Sequence, residues 1–437
     1  MLPTNIKKDI LLCLPVIFIT FLILSYRLND LPKKVSLDEV RNAGFAASLL
    51  NHGYTPYYAQ FFEGWDTHNT FPLYNMLASM QVFGVSPFSL RFSGVFYGVL
   101  TVIAAYFLLL LLFGRFNAAA GALILAFSYK FIAFNRWAIE TPFYFFFLVL
   151  SLLFFSKYYF SLTNKKASNN YLMLLLLGLT VGMLQHTYGS ARMFLFAYPL
   201  ILIFVMLSVR MSILRLTLSV FAFAFGLVLV MYPLIIAGRN LPKEAFDSRG
   251  GDLQIFREAP TKDRVWAIKW GFIRTIGMFN VKGSSESCYS YPGSKFLDPL
   301  SGIMFILGVL VFVVKYRYLY SGSILILFIF SLLPSVFSLV AATPHEVRAS
   351  GAIVFVPIFI TALTAVSLRT ISNYKVKLIL IAGTLLFIGV YNLNSYFVEQ
   401  VNGDKTCYIF PKEKLIETAK EYYELNPKPF YEYNPWY

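Results

Sequence analysis

Residues 89–113 read SLRFSGVFYGVLTVIAAYFLLLLLF, a stretch in which the only charge, Arg91, stands near the start. A helix rises about 1.5 Å per residue and the hydrocarbon core of a bilayer is roughly 30 Å thick, so this stretch is long enough to cross it. Comparable apolar runs lie near 10–26, 116–134, 141–160, 171–188, 192–209, 214–237, 299–315, 320–341, 350–368 and 376–393, giving about eleven spans in all. The 437 residues are 58% hydrophobic, 18% aromatic and only 14% charged, which excludes an ordinary water-soluble domain. The fold class expected is all-α, a polytopic transmembrane helical bundle.

The charges orient it. With the N-terminus inside, the inner connections hold Lys7 and Lys8, then Arg115, then Lys157, Lys165 and Lys166, then Arg210 and Arg215, then Lys315 and Arg317, then Arg369, Lys375 and Lys377. Every short inner loop is basic, as the positive-inside rule requires. The net charge of +15 is therefore read as topology and attraction to anionic lipid, with no nucleic-acid partner. The first run follows Lys7 and Lys8 as a signal peptide would, but no small-x-small cleavage site follows it, so an uncleaved span is expected.

The long segments fall on the other side. They are the outer loops 27–88 and 238–298 and the tail 394–437, which set apart a transmembrane module, residues 1–393, from a short extracytoplasmic C-terminal tail. The first loop is expected to carry two surface helices, Glu39 to His52 ending at Gly53, and Pro72 to Phe83 with Leu73, Met76, Leu77, Met80 and Phe83 on one stripe before Gly84. In the tail, Lys412, Glu413, Lys414, Glu417, Lys420 and Glu421 surround Leu415, Ile416 and Ala419, the pattern of one amphipathic helix. Cys288 and Cys407 fall on the same non-cytoplasmic side, where a single disulfide is chemically allowed.

Chemistry is concentrated in Ser36-Leu37-Asp38-Glu39-Val40-Arg41, about ten residues beyond the first span. Ser36 and Glu39 form an S-x-x-E capping box, which alone accounts for Glu39, and Asp38 suits the first turn of a helix by its charge. The same two carboxylates and Arg41 would equally serve an acceptor hydroxyl and a phosphate. Further polar groups share that side: Arg136 and Glu140; His186, Tyr188 and Arg192; His345, Glu346 and Arg348. Singly, each is explained by helix-end pairing or snorkelling to headgroups. Arginines collected at outer helix ends, against the inside preference, point to an anionic ligand entering from the bilayer. The four histidines are too scattered for a metal signature, and a divalent cation remains compatible with the carboxylates without being assigned.

In order and sidedness these stretches resemble the lipid-dependent glycosyltransferases of the GT-C class, in particular the branch of protein O-mannosyltransferases and bacterial aminoarabinose transferases. Asp38-Glu39-Val40-Arg41 is similar to the family's first-loop acidic motif, Phe71-Pro72-Leu73-Tyr74 through Leu90-Arg91-Phe92 to its surface helix and second-span entry, and Asn135-Arg136 through Glu140 to its arginine and second acidic residue. His186 to Arg192, Phe296 to Gly302 and Pro344 to Arg348 resemble later stretches. The chain departs from the aminoarabinose branch at Thr70-Phe71-Pro72, where Lys-Pro-Pro is usual, and its tail is short.

The resemblance implies inverting transfer of a sugar from a polyprenyl-phosphate donor to a hydroxyl-bearing lipid, glycan or protein, at the outer face of the cell's inner (plasma) membrane. It implies Asp38 as base, Glu39 and Glu140 as further catalytic carboxylates, Arg41, Arg192 and Arg348 on the donor phosphate, and Arg136, His186, Tyr188 and His345 in the substrate pocket. The absence of a Walker A sequence accords with a donor that is already activated. The alternative is a transporter or flippase for an amphipathic anion, which the placement of charges at helix ends, away from a midplane site, makes the poorer fit.

Overall fold

The computed structural model describes residues 6–49, 57–61, 65–163, 170–240, 263–285, 289–338, 342–401 and 409–424. All eleven apolar runs are helical. They give α1 (Ile6–Ser25), α4 (Pro87–Phe113), α5 (Arg115–Phe127) with α6 (Tyr129–Arg136), α7 (Thr141–Thr163), α8 (Tyr171–Gln185), α9 (Met193–Ser208), α10 (Ile213–Asn240), α12 (Pro299–Lys315), α13 (Tyr318–Val336), α14 (Val356–Ser367) and α15 (Tyr374–Asn394). Among the described residues, eight helices are long and apolar enough to cross a membrane, and the bent pair α5 and α6 would make a ninth. Helices α8 and α12, of 15 and 17 residues, are shorter.

Two interruptions differ from the expected pattern. The third run is not one helix: it bends by 59° between α5 and α6. Tyr129 N–H at the break donates to Asn392 Oδ1 (3.2 Å), and Asn392 Nδ2 donates in turn to Asp298 Oδ2 (2.9 Å). Asp298 Oδ1 accepts from Ser301 N–H (2.8 Å) and so caps α12. One buried polar chain thus ties the break to α12 and α15. Helix packing elsewhere relies on close backbone approach: a Cβ at Gly178 of α8 would stand 2.1 Å from Phe223 O of α10, and one at Gly226 of α10 2.4 Å from Leu175 O.

The first long segment folds differently from expectation. Helix α2 (Leu37–Ser48) is covered by other parts of the protein, with Val40, Ala43, Phe45, Ala46 and Ala47 all buried. Its C-cap is Leu49, whereas Gly53 lies outside the described residues. A hairpin, β2 (Tyr57–Phe61) with β3 (Trp65–Asn69), was not anticipated; it pairs antiparallel with Tyr57 opposite Asn69. Helix α3 (Thr70–Phe83) follows at the expected place.

The tail helix, α16 (Lys412–Glu424), buries Leu415 and Ala419 and packs on α2. Just before it, β4 (Ile409–Phe410) pairs with β1 (Val35–Ser36), in register Val35 to Phe410. The second long segment contributes α11 (Arg264–Gly277), also not anticipated, which turns Ala267, Gly271 and Thr275 inward. These elements all stand at the end of the bundle where α1 finishes and α4, α7, α12 and α14 start. Cys288 and Cys407 lie outside the described residues.

Candidate active site

The site begins with the start of α2. Ser36 Oγ accepts from Glu39 N–H (3.1 Å) while Glu39 Oε2 accepts from Ser36 N–H (3.1 Å), so the capping box read from the sequence is formed. Glu39 does more than cap. Its carboxylate is fully buried and also accepts from Arg91 Nε (2.7 Å), Arg91 Nη2 (3.0 Å) and Ala138 N–H (3.1 Å). With these donors in place Glu39 braces the helix start, which departs from the direct catalytic part assigned to it.

Arg91, equally buried, spends its remaining donors on Leu28 O (3.3 Å), Pro32 O (3.1 Å) and Lys34 O (3.0 Å). Its five N–H groups are all engaged.

Arg136 requires a correction. It is buried at the last position of α6, and its donors go to Tyr396 Oη (3.2 Å), Ile23 O (3.2 Å), Leu24 O (2.7 Å), Tyr26 O (2.7 Å) and Leu31 O (2.9 Å). Those carbonyls are the ones the end of α1 and the turn after it leave without helical partners, and a guanidinium is suited to gather them. Arg136 therefore terminates α1 and is not a substrate-pocket residue. Nor do Arg136 and Glu140 form an i,i+4 pair, since α6 ends at Arg136 and α7 begins after Glu140.

Asp38, one residue before this brace, remains exposed. Its Oδ2 accepts a hydrogen bond from the Tyr289 hydroxyl. Tyr289 is buried, and burial first, then Asp38, Glu140 and Tyr188, push its phenol well above its ordinary pKa. Of these three, Asp38 is in direct hydrogen-bond contact with Tyr289, while Glu140 and Tyr188 act on it through space. Three of the candidate residues, drawn from the start of α2, the turn before α7 and the turn after α8, thus lie near enough to one phenol to act on it electrostatically.

The loop that delivers Tyr289 is held by Glu346, which the sequence reading placed on this side, and by Lys130, which it did not select. Lys130, buried in the first turn of α6, donates to Ser290 Oγ (2.7 Å), Ser294 Oγ (2.8 Å) and Glu346 Oε2 (2.8 Å). Glu346 also accepts from Ser290 Oγ (2.8 Å) and from Ser284 N–H (2.9 Å). Tyr289 O accepts from Trp137 Nε1 (3.2 Å) and Gln400 Nε2 (3.0 Å), and Tyr291 N–H donates to Tyr129 Oη (2.7 Å). One signal for Lys130 was available: a lysine inside an apolar run, 116–134, needs a partner.

The other candidates are less central. His186 is buried, with Nε2 2.9 Å from Val230 O, and joins α8 to α10. Arg41 and Arg192 are exposed, Arg192 at the end of a short 3-10 turn, Gly189–Arg192. Arg348 Nη1 donates to Ser338 Oγ (2.9 Å), and His345 N–H to Ser335 Oγ (2.9 Å). Among the described residues, no three His, Cys, Asp or Glu side chains gather as a metal site would need.

Burial, and then the neighbouring Arg348, hold the His345 imidazole down at about 3, so the folded protein keeps it neutral while the unfolded chain protonates it below about 6.5. Its contribution to stability is complete above that value and lost as the pH falls toward 3. Acidification from pH 7 to 5 is expected to remove at most about 2 kcal/mol at this position. Melting in detergent at the two pH values should show a smaller acid loss for His345→Gln; equal losses would contradict the assignment.

The chain matches the family model described as dolichyl-phosphate-mannose-protein mannosyltransferase over residues 15–239, just over half its length. No curated protein sequence matches it. Its fold is that of polytopic GT-C enzymes. It superposes on the oligosaccharyltransferase of Archaeoglobus fulgidus, tethered to an acceptor peptide, with a TM-score of 0.56 and 12% identity, covering 89% of this chain and 54% of that one. For ArnT from Cupriavidus metallidurans bound to undecaprenyl phosphate the TM-score is 0.53 and the identity 13%, covering 99% and 77%. The mycobacterial arabinofuranosyltransferase AftD gives 0.52 and 11%, covering 92% and 27%. The chain thus spans about half the length of the oligosaccharyltransferase it superposes on.

Proposed function

Because the chain belongs to the dolichyl-phosphate-mannose-protein mannosyltransferase family, we propose that it transfers a sugar from a polyprenyl-phosphate donor to an acceptor hydroxyl, by inversion, on the extracytoplasmic side of the plasma membrane. The observation that carries this reading is an exposed aspartate on a braced helix start, bonded to a buried tyrosine from a distant loop, at one end of a helical membrane bundle. Undecaprenyl phosphate is the ligand of the C. metallidurans ArnT structure, and an acceptor peptide is tethered to the A. fulgidus enzyme, which supports a lipid-phosphate donor meeting an acceptor on this fold.

In the reaction, the acceptor oxygen attacks the anomeric carbon, the bond from that carbon to the phosphate oxygen breaks, and polyprenyl phosphate leaves with the electron pair. The acceptor's proton passes to Asp38. For a carboxylate in this part, orientation toward the acceptor proton is the main requirement. Glu140 orients acceptor or sugar. Arg41, Arg192 and Arg348 supply the guanidinium groups suited to a phosphate, and two of them are exposed for the purpose. The isoprenoid stays in the bilayer, which explains why the chemistry sits at the rim of a membrane bundle.

The test compares cells with and without the protein. Mass analysis of extracytoplasmic lipids, glycans and proteins should reveal one hexose- or pentose-sized increment that disappears with the gene. Membranes given polyprenyl-phosphate mannose should restore it if mannose is the sugar. Identical mass profiles in both cell types would remove the reading.

A further inference from the structure

We propose that Tyr289 is a positioning residue for this transfer: its hydroxyl, donating to Oδ2 of Asp38, holds the carboxylate in one orientation toward the acceptor hydroxyl. The inference rests on the reading of Asp38 as base. Asp38 is an exposed side chain with two rotatable bonds, and left alone it would sample several rotamers. A base must meet the proton it removes at hydrogen-bond distance, and small misplacements are costly in rate.

Glu39 fixes the backbone on which Asp38 stands, but nothing in that brace selects a side-chain rotamer for its neighbour. Tyr289 supplies a constraint of that kind, and it comes from a distant part of the chain.

The phenol is well placed to do this because its ring, its carbonyl and the residue after it are each held. Its ring packs edge-on to Trp137, with centroids 5.9 Å apart. Its carbonyl takes two N–H donors, from Trp137 and Gln400, that belong to elements otherwise separate from the loop. The next residue, Ser290, is clasped by the buried pair Lys130 and Glu346.

Trp137 also lies under Arg91, whose guanidinium carbon is 5.4 Å from the indole centroid. The brace on Glu39 and the brace on Tyr289 therefore share one indole, and Asp38 is set between them. The titratable groups that act on Tyr289 are Asp38 from α2, Glu140 from the turn before α7 and Tyr188 from the turn after α8; each disfavours loss of the phenolic proton, so the hydroxyl stays a donor.

Tyr289→Phe removes the hydroxyl and keeps the ring against Trp137. A hydrogen bond to a charged group is worth enough to predict a fall in transfer of about 10-fold to 100-fold. The fall is expected both in membranes given polyprenyl-phosphate mannose and in the mass increment made in cells from their own donor. Stabilisation of the purified protein by undecaprenyl phosphate should be unchanged within about twofold, and the melting temperature should move little, since packing is preserved.

In an Asp38→Glu background, where the longer side chain has already lost the bond, the second substitution should add almost nothing. Wild-type transfer in Tyr289→Phe, loss of lipid-phosphate binding, or an equal further drop in the Asp38→Glu background would each overturn the inference. If Asp38→Glu has no measurable turnover, the contrast between transfer and lipid-phosphate binding in Tyr289→Phe decides alone. Full transfer in Asp38→Asn would instead sink the reading of Asp38 itself.

Discussion

Asp38→Asn is expected to lower sugar transfer by about 10²-fold to 10⁴-fold, the usual contribution of a placed general base. The substitution is nearly isosteric and keeps an oxygen that can accept from Tyr289, so the protein should fold and be inserted as before. An amide cannot take the acceptor's proton. Donor binding is assigned to the arginines under the proposed function, and on that reading the affinity for undecaprenyl phosphate should stay near the wild-type value. Transfer would be followed by the mass increment on the acceptor at equal protein levels. Turnover within a few-fold of wild type would show that the proton goes somewhere else.

The second large effect is on stability. Arg91→Ala strips a fully buried carboxylate of its cation and leaves Leu28 O, Pro32 O and Lys34 O without a donor. Breaking a buried pair by removing one partner typically costs about 3–5 kcal/mol, because the surviving charge is left in a poor solvent. Glu39→Ala should be comparable, since Arg91 would then be the stranded ion. The pair replaced together, as Glu39→Leu with Arg91→Met, should recover part of the loss, limited by the three carbonyls. Thermal unfolding in detergent would rank the four proteins. A double variant no better than either single one would mean that the ion pair is not the source of the cost.

The membrane architecture was legible because its signal is local: each apolar run and each basic inner loop reads without knowledge of the others. The same holds for the capping box at Ser36 and Glu39, whose members are three residues apart. The break at Ser128 escaped, because nothing in the hydropathy of the run records that Asn392 will accept a hydrogen bond from Tyr129 N–H.

The roles of Arg91, Arg136 and Tyr289 depend on partners drawn from distant parts of the chain, and no spacing rule reaches that far. Arg136 shows the consequence most clearly. An arginine at an outer helix end suggested an anion, whereas its actual anion-like partners are the carbonyls at the end of α1. Lys130 and Glu346 form a buried pair from positions that had each been read, if at all, as the charge of a single turn.

The antiparallel pairing of Val35 and Ser36 with Ile409 and Phe410 gives the molecule an order of assembly. The bundle can insert span by span during synthesis, but the strand beside the aspartate finds its partner only after nearly all of the polypeptide has emerged and the last helix has docked. Contacts of such long reach form late and slowly. A nascent chain can thus be threaded through the bilayer before Val35 and Ser36 have any strand to pair with.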